Sequence, residues 1–391
     1  MNADTTVRTE LGRRAAELAP VLRSNAQWGE DHRALHDETL AALADAGVFT
    51  MRVPTRYGGQ ESDAATFLEV ITQLGMGDGS AAWNVSAWST SAWMAAQFPD
   101  HVQDEVFAPG SRVCGVLSPT AAAVPTGDGV VINGRWQFIS GAKHSQWQVV
   151  LAMAPTPDGA SQWPVMAVVP LSELSIDDDW YTTGLCGTGS VTTIAHDVFV
   201  PQDRVLPLVG VLEEQTASEL NAGSAVFRTP LMVTGCATFT GAAIGLAKAA
   251  QAAFMDRLDH KITYTDYASR REAPITHLKV AEAALLIEEA ESHATRLAAQ
   301  VDAKGAAGEA WSLPERVKAR AYLGRVFQLT NAAATGLADE SGGSSLYRSN
   351  PFQRAVRDLH ALSVHALMHA STSAELYGRI LCGLEPNTMY L

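Results

Sequence analysis

The sequence predicts a mainly α-helical protein interrupted by one antiparallel β domain, on three observations. The first hundred residues are Ala/Leu-rich with helical spacing of the apolar positions. From about 112 to 210 the texture changes to β-branched runs broken by Gly, Pro and Asn. After about 222 long 3–4 spacings return. The boundaries read from these shifts give an N-terminal α-helical domain over 1–111, a middle antiparallel β domain over 112–215 and a C-terminal helical bundle over 216–391.

Each zone has its own signals. LHDETLAALADAGVF (35–49) places Leu40, Leu43 and Ala44 on one stripe, and Gly47 reads as its C-cap. RVPTRYGG (52–59) reads as a Pro/Gly turn, and Asp78-Gly79-Ser80 as a cap before AAWNVSAWSTSAWMAA. In the middle zone, VVINGRWQF (130–138) carries Asn133-Gly134 between two strand-like runs, a hairpin signal. WQVVLAMAP, WPVMAVVP and SVTTIAHDVFVP read as further strands. In the last zone, residues 280, 283, 284, 287, 290, 294, 297, 298 and 301 are apolar at helical spacing, with Glu282, Glu288 and Glu289 off the stripe. Three or four such helices make a bundle. The Ala/Gly-rich stretch near 303–310 reads as a loop.

Composition excludes several classes. A net charge of −14 with no Lys/Arg run argues against nucleic acid as a partner. Cys114, Cys186, Cys236 and Cys382 are scattered, which fits reduced thiols rather than disulfides or zinc. The N-terminal residues lack a signal-peptide core and no stretch of about 18 uncharged apolar residues stands out, so a soluble, cytoplasmic protein with no membrane partner is expected.

Motif absences narrow the chemistry. No G-x-G-x-x-G follows a strand, so a Rossmann nucleotide site is not expected. GAAIGLAK (241–248) resembles a P-loop only loosely and reads as small residues that let helices pack closely. His365 and His369, four apart, read as polar residues on a helix rather than half a metal site, because no third ligand accompanies them. No metal is expected. WQFISGAKHSQW (136–147) raises a sharper question, because a strand ends there in Ser140-Gly141 followed by Lys143 and His144.

RVPTRYGG, WQFISG, GLCGTGSVTTIAHDVFVP and RAVRDLHAL, in that order over most of the chain, resemble the acyl-CoA dehydrogenase fold. That resemblance implies a helical domain, a β domain and a four-helix bundle, with flavin between the last two and a homotetramer. The fold houses two chemistries. In many of its dehydrogenases a catalytic glutamate stands nine residues after the Arg of an RDA motif; counting from Arg357 gives Ala366, preceded by His365, and the next glutamate is Glu375. SGGSSLYRSNPFQRAVRDLH (341–360), LYGRILCGLEP (376–386) and DDWYTTGLCGTGS (178–190) are similar to segments of the other branch, the oxygenase components of two-component flavin-dependent monooxygenases that act on phenols and aromatic polyketides.

The resemblance therefore implies an enzyme that uses reduced FMN or FAD and O2, through a C4a-hydroperoxyflavin, to hydroxylate an aromatic, phenolic or polyketide-like molecule of secondary metabolism. A separate NAD(P)H:flavin reductase would be its partner. The alternatives are an acyl-CoA dehydrogenase with bound FAD and an N- or S-oxygenase of the same fold. It also implies roles. Ser140 meets the N5 region of the flavin, Trp136 and Ile139 line its ring face, and Ser118 and Ser190 shape its site. Gly342, Gly343 and Ser344 let a backbone approach its phosphate or adenine, from the same or a neighbouring subunit, and Arg270 or Arg271 neutralises that phosphate. His365 is the favoured proton-handling residue, with Ser140 and His144 as further catalytic candidates.

Overall fold

The computed structural model describes residues 3–391. Six helices come first: α1 (Ala3–Glu17), α2 (Ala19–His32), α3 (Asp37–Asp45), α4 (Ala64–Gly77), α5 (Gly79–Ala95) and α6 (Asp100–Val106). The strands are β1 (Val113–Gly115), β2 (Ala121–Pro125), β3 (Gly129–Ile139), β4 (Trp147–Pro155), β5 (Gln162–Pro170), β6 (Ser175–Asp177), β7 (Val191–Pro201) and β8 (Val205–Pro207). The short α7 (Leu208–Leu212) leads to α8 (Leu231–Met255), α9 (Pro274–Ala307), α10 (Leu313–Asp339), α11 (Pro351–Ser363) and α12 (Ala370–Leu381). The helix, sheet, helix order expected from the sequence is the order found.

Local signals explain several helix ends. Asp78 caps α5 by accepting the Ser80 and Ala81 N–H groups. Gly47, at φ +78°, follows the last turn of α3 in the left-handed conformation that a side chain disfavours. A capping box of Ser312 and Glu315 starts α10. The Ala/Gly-rich stretch near 303–310 is not a loop throughout. Alanine favours helix, and α9 runs on to Ala307 before Gly308 (φ +67°) ends it.

The sheet runs in the order β6-β7-β3-β2-β4-β5-β8, with β1 beside β4. Most pairings are antiparallel, but β1 and β2 both run parallel to β4, so the sheet is mixed. The expected hairpin at Asn133-Gly134 is absent, since both residues lie inside β3. The β2–β3 turn is six residues earlier, at Gly127-Asp128, where Thr126 N–H donates to the Gly129 carbonyl. Asn133 instead pairs across to Asp197 on β7 through two hydrogen bonds of 2.8 and 2.9 Å. Gly134 serves a close approach, for a Cβ there would sit 2.5 Å from Ala121 Cα. The dipeptide marks a bulge rather than a turn.

Helix α8 is the axis of the assembly. By length and composition it is apolar enough to cross a membrane, against the expectation that no such stretch exists. It is instead buried against α4, α5, α9, α10 and α11 as a core helix. The small residues of GAAIGLAK make this possible. A Cβ on Gly245 would lie 2.4 Å from the Thr72 carbonyl oxygen and 2.8 Å from Gly75 Cα, so α4 and α8 touch backbone to backbone.

A candidate flavin site at the junction of sheet and bundle

The last residues of β3 are sorted by a second bulge, between Trp136 and Ile139 in the pairing with β7. Trp136 and Ile139 are both 0% exposed, and the Trp136 indole N–H donates to the Leu151 carbonyl at 2.8 Å. Both belong to the sheet core, so neither is available to line a ring face as expected. Gln137 and Phe138 turn outward between them, and Phe138, at φ +66° and 60% exposed, stands edge-on to Trp180 at 6.0 Å. A bulky aromatic residue held in the left-handed region and largely uncovered is uncommon. Strict alternation along β3 hid it.

Ser140 follows as a buried hydroxyl with two partners. The Trp83 indole N–H on α5 donates to its Oγ at 2.8 Å, and Ser190 Oγ lies 2.8 Å away. Ser190 Oγ in turn lies 2.7 Å from Thr188 Oγ1, which donates to the Leu185 carbonyl at 2.8 Å. Gly141 (φ +70°) is required next, because a Cβ would sit 2.5 Å from the Trp88 ring.

The bundle fixes the loop that carries Thr188 and Ser190. Asp358 on α11 accepts the Leu185 N–H at 2.6 Å, and Arg357 donates to the Thr183 carbonyl. A Cβ on Gly184 would lie 2.4 Å from the Arg357 carbonyl oxygen, so loop and helix are in backbone contact there. Burial pushes the Asp358 carboxyl up to about 7, nearby Asp78 adds to this, and the Leu185 N–H opposes it.

His365 stands across Trp83 from Ser140. Its ring lies 5.4 Å from the Trp83 ring at 61°, while Phe239 packs against Trp83 at 4.9 Å. His365 is not on a helix. It sits with His369 in the turn between α11 and α12, and its Nδ1 accepts the Leu367 N–H at 3.2 Å. The ring exposes surface, yet desolvation by the surrounding protein holds its pKa down at about 4. At neutral pH it is an uncharged imidazole whose Nδ1 accepts, so Nε2 carries the proton.

The other expected residues lie apart from this cluster. His144 turns toward the N-terminal helices, where its Nε2 accepts the Leu35 N–H at 3.2 Å and Trp88 stands edge-on. Burial, then nearby Arg112, lowers its pKa to about 4, and its geometry is that of a structural histidine. Ser118 is exposed on the β1–β2 loop. His369 lines a separate cavity of about 460 Å³ with Phe327, Asn331, Thr335 and Met368. Among the described residues no group of three or more His, Cys, Asp or Glu suits a metal.

A second cluster sits at the 340–345 loop. Arg270 donates to the Glu340 and Ser341 carbonyls, the latter at 2.7 Å, and Arg257 donates to Ser344 Oγ. Gly342 is at φ +71°, with Arg270 Nη2 3.1 Å from where a Cβ would be, and Gly343 begins the following 3-10 turn. Burial first and then the neighbouring Arg257 lower the Arg270 pKa, so two guanidinium groups share one small region. An anionic group would relieve that repulsion. Arg257 was not singled out from sequence, since nothing local distinguishes it.

The position at which many dehydrogenases place their base is an alanine here. Ala366 adjoins His365, and Glu375 is exposed on α12, where Asn387 Nδ2 donates to it at 3.1 Å.

The acyl-CoA dehydrogenase N-terminal and C-terminal domain families match residues 9–111 and 237–370. The FADH(2)-dependent resorcinol hydroxylase oxygenase component of Rhizobium sp. (strain MTP-10005) is 31% identical, over 99% of this chain and 98% of that protein. The flavin-dependent monooxygenase oxygenase subunit HsaA of Mycobacterium tuberculosis is 32% identical over 94% of each. The crystal structure of XiaF from Streptomyces sp., in complex with FADH2 and glycerol, superposes with a TM-score of 0.93 at 29% identity, covering 98% of both chains. This chain belongs to the flavin-dependent monooxygenases, as an oxygenase component built on the acyl-CoA dehydrogenase fold.

Proposed function

We propose that this chain takes reduced FMN or FAD from a separate NAD(P)H:flavin reductase and hydroxylates an aromatic, phenolic or polyketide-like small molecule with O2. The same reading has it working in the cytoplasm as a homotetramer. The observation that carries it is the Ser140–Trp83–His365 cluster, in which an imidazole stands against Trp83 and its neighbour at the usual glutamate position is Ala366. Many acyl-CoA dehydrogenases place their catalytic glutamate at that position, while others carry it on another helix.

The residues present fit a reduced flavin. Phe138 offers an uncovered aromatic face beside Ser140, whose Oγ would meet the N5 edge. The Arg257–Arg270 pair with Gly342, Gly343 and Ser344 would take the phosphate end. When bound, reduced flavin supplies the two electrons that let one atom of O2 enter the substrate while the other leaves as water.

The protein's own contribution is positioning and proton control. Trp83 packed against Phe239, and the Gly184–Ser190 loop held by Asp358, would form one wall of the flavin site. His365 presents Nε2–H, so it acts first as a hydrogen-bond donor to an oxygen of substrate or oxidant. Deprotonating a phenol would require it to give up the Leu367 N–H and change tautomer. Positioned proton handling of this kind contributes about 10²–10⁴ in rate.

The test is incubation with reduced flavin, 18O2 and a panel of phenols beginning with resorcinol. The expected result is one 18O atom in the product, with His365→Ala losing most hydroxylation while still binding flavin. Stoichiometric H2O2 with no product across the panel, or anaerobic bleaching of bound FAD by an acyl-CoA, would overturn the proposal. An unchanged product yield in His365→Ala would remove that residue from the chemistry.

A further inference from the structure

We propose that Thr188 is a positioning residue that sets which redox form of flavin the site accepts, by fixing the direction of the hydroxyl relay Thr188–Ser190–Ser140. The inference rests on the placement of Ser140 at the flavin N5 edge proposed above.

The direction follows from counting donors. The Trp83 indole is a donor only, so Ser140 Oγ must accept from it. At the other end, Thr188 Oγ1 donates its single proton to the Leu185 carbonyl, an acceptor only. Ser190 therefore donates to Thr188, at 2.7 Å, and Ser140 donates to Ser190, at 2.8 Å. Only this direction gives every hydroxyl proton of the relay a protein acceptor. Thr188, Ser190 and Ser140 are 1%, 4% and 5% exposed, so an unmatched proton among them is costly.

The consequence lies at Ser140. With its proton committed to Ser190, it can offer a ligand only a lone pair. Reduced flavin carries a hydrogen on N5 and matches that lone pair. Oxidised flavin presents a lone pair of its own at N5 and meets another. Thr188, which this reading keeps out of contact with the cofactor, thus decides the match. Trp83 prevents Ser140 from turning its proton the other way.

Thr188→Val keeps the shape and removes the terminal acceptor. Ser190 must then donate to Ser140, whose own proton swings free toward the ligand. The experiment measures dissociation constants for reduced and oxidised FMN, the reduced form under anaerobic conditions. Thr188→Val is expected to lower the preference for reduced over oxidised flavin by roughly tenfold or more, since a mismatched buried polar contact costs about that much. Thr188→Ser, which retains the hydroxyl, should keep the wild-type ratio. Ser190→Ala frees the Ser140 proton one step nearer, and gives the same shift should the valine variant not fold. If Ser140→Ala weakens reduced-flavin binding while Thr188→Val and Ser190→Ala keep the wild-type ratio, the relay is refuted and the site stands. If reduced flavin is indifferent to Ser140→Ala, both fall together.

Discussion

Ser140→Ala leaves the Trp83 indole N–H, in a residue only 7% exposed, with no acceptor, while Ser190 keeps its bond to Thr188. One orphaned buried donor costs about 1–3 kcal/mol. With 391 residues and an unfolding entropy of about 2.1 cal/mol/K for each, the melting temperature should fall by about 1–4 °C. Trp83→Phe removes the donor and keeps most of the ring against His365 and Phe239. In the double variant neither partner remains to be orphaned. Its destabilisation should therefore be smaller than the sum of the two singles by about 1–2 kcal/mol. Urea and thermal unfolding of the four proteins, at one protein concentration, measure this coupling. Additivity within about 0.3 kcal/mol would refute the claim that this hydrogen bond organises the end of β3.

Three further outcomes follow from the same geometry. Asp358 has a folded pKa of about 7, above its unfolded value, so folding favours its protonated form and its contribution to stability declines as pH rises from about 4 toward 7. Asp358→Asn, which still accepts the Leu185 N–H, should gain stability over wild type across that window in unfolding curves, whereas Asp358→Ala should lose coupling of O2 use to product because the loop under Ser190 is released. His144 behaves oppositely. Its folded pKa of about 4 lies below the unfolded value near 6.5, so wild type loses stability as pH falls between them, and His144→Gln should flatten that slope by at most about 1.4 kcal/mol per pH unit. Arg257→Ala should weaken binding of reduced FMN or FAD about tenfold while leaving riboflavin, which lacks the phosphate, unchanged by equilibrium titration.

Much of the frame was legible because it rests on local signals. The Asp78 cap, the Gly47 helix end and the small-residue face of α8 each work within a few residues, and the structure uses each as read. Several of the misreadings share a cause: long-range partners outweighed local pattern. Asn133-Gly134 has hairpin chemistry, yet Asp197 on β7 claims the Asn side chain and the chain continues as strand. The bulge set by β7 exchanges the expected Trp136 for Phe138 at the exposed position. His365 and His369 keep helical spacing in a segment that has left the helix. The Asp358–Leu185 clamp joins residues 173 apart, which no local pattern announces. Ser140 and His365 were found through family resemblance, while the Trp83 ring that joins them emerges only from packing.

The most direct measurement is a crystal structure of the protein soaked anaerobically with reduced FMN. The account predicts the isoalloxazine beside Phe138, with N5 within about 3.5 Å of Ser140 Oγ and His365 facing the same crevice. A flavin bound elsewhere, with Ser140 still enclosed by Trp83 and Ser190 alone, would contradict it.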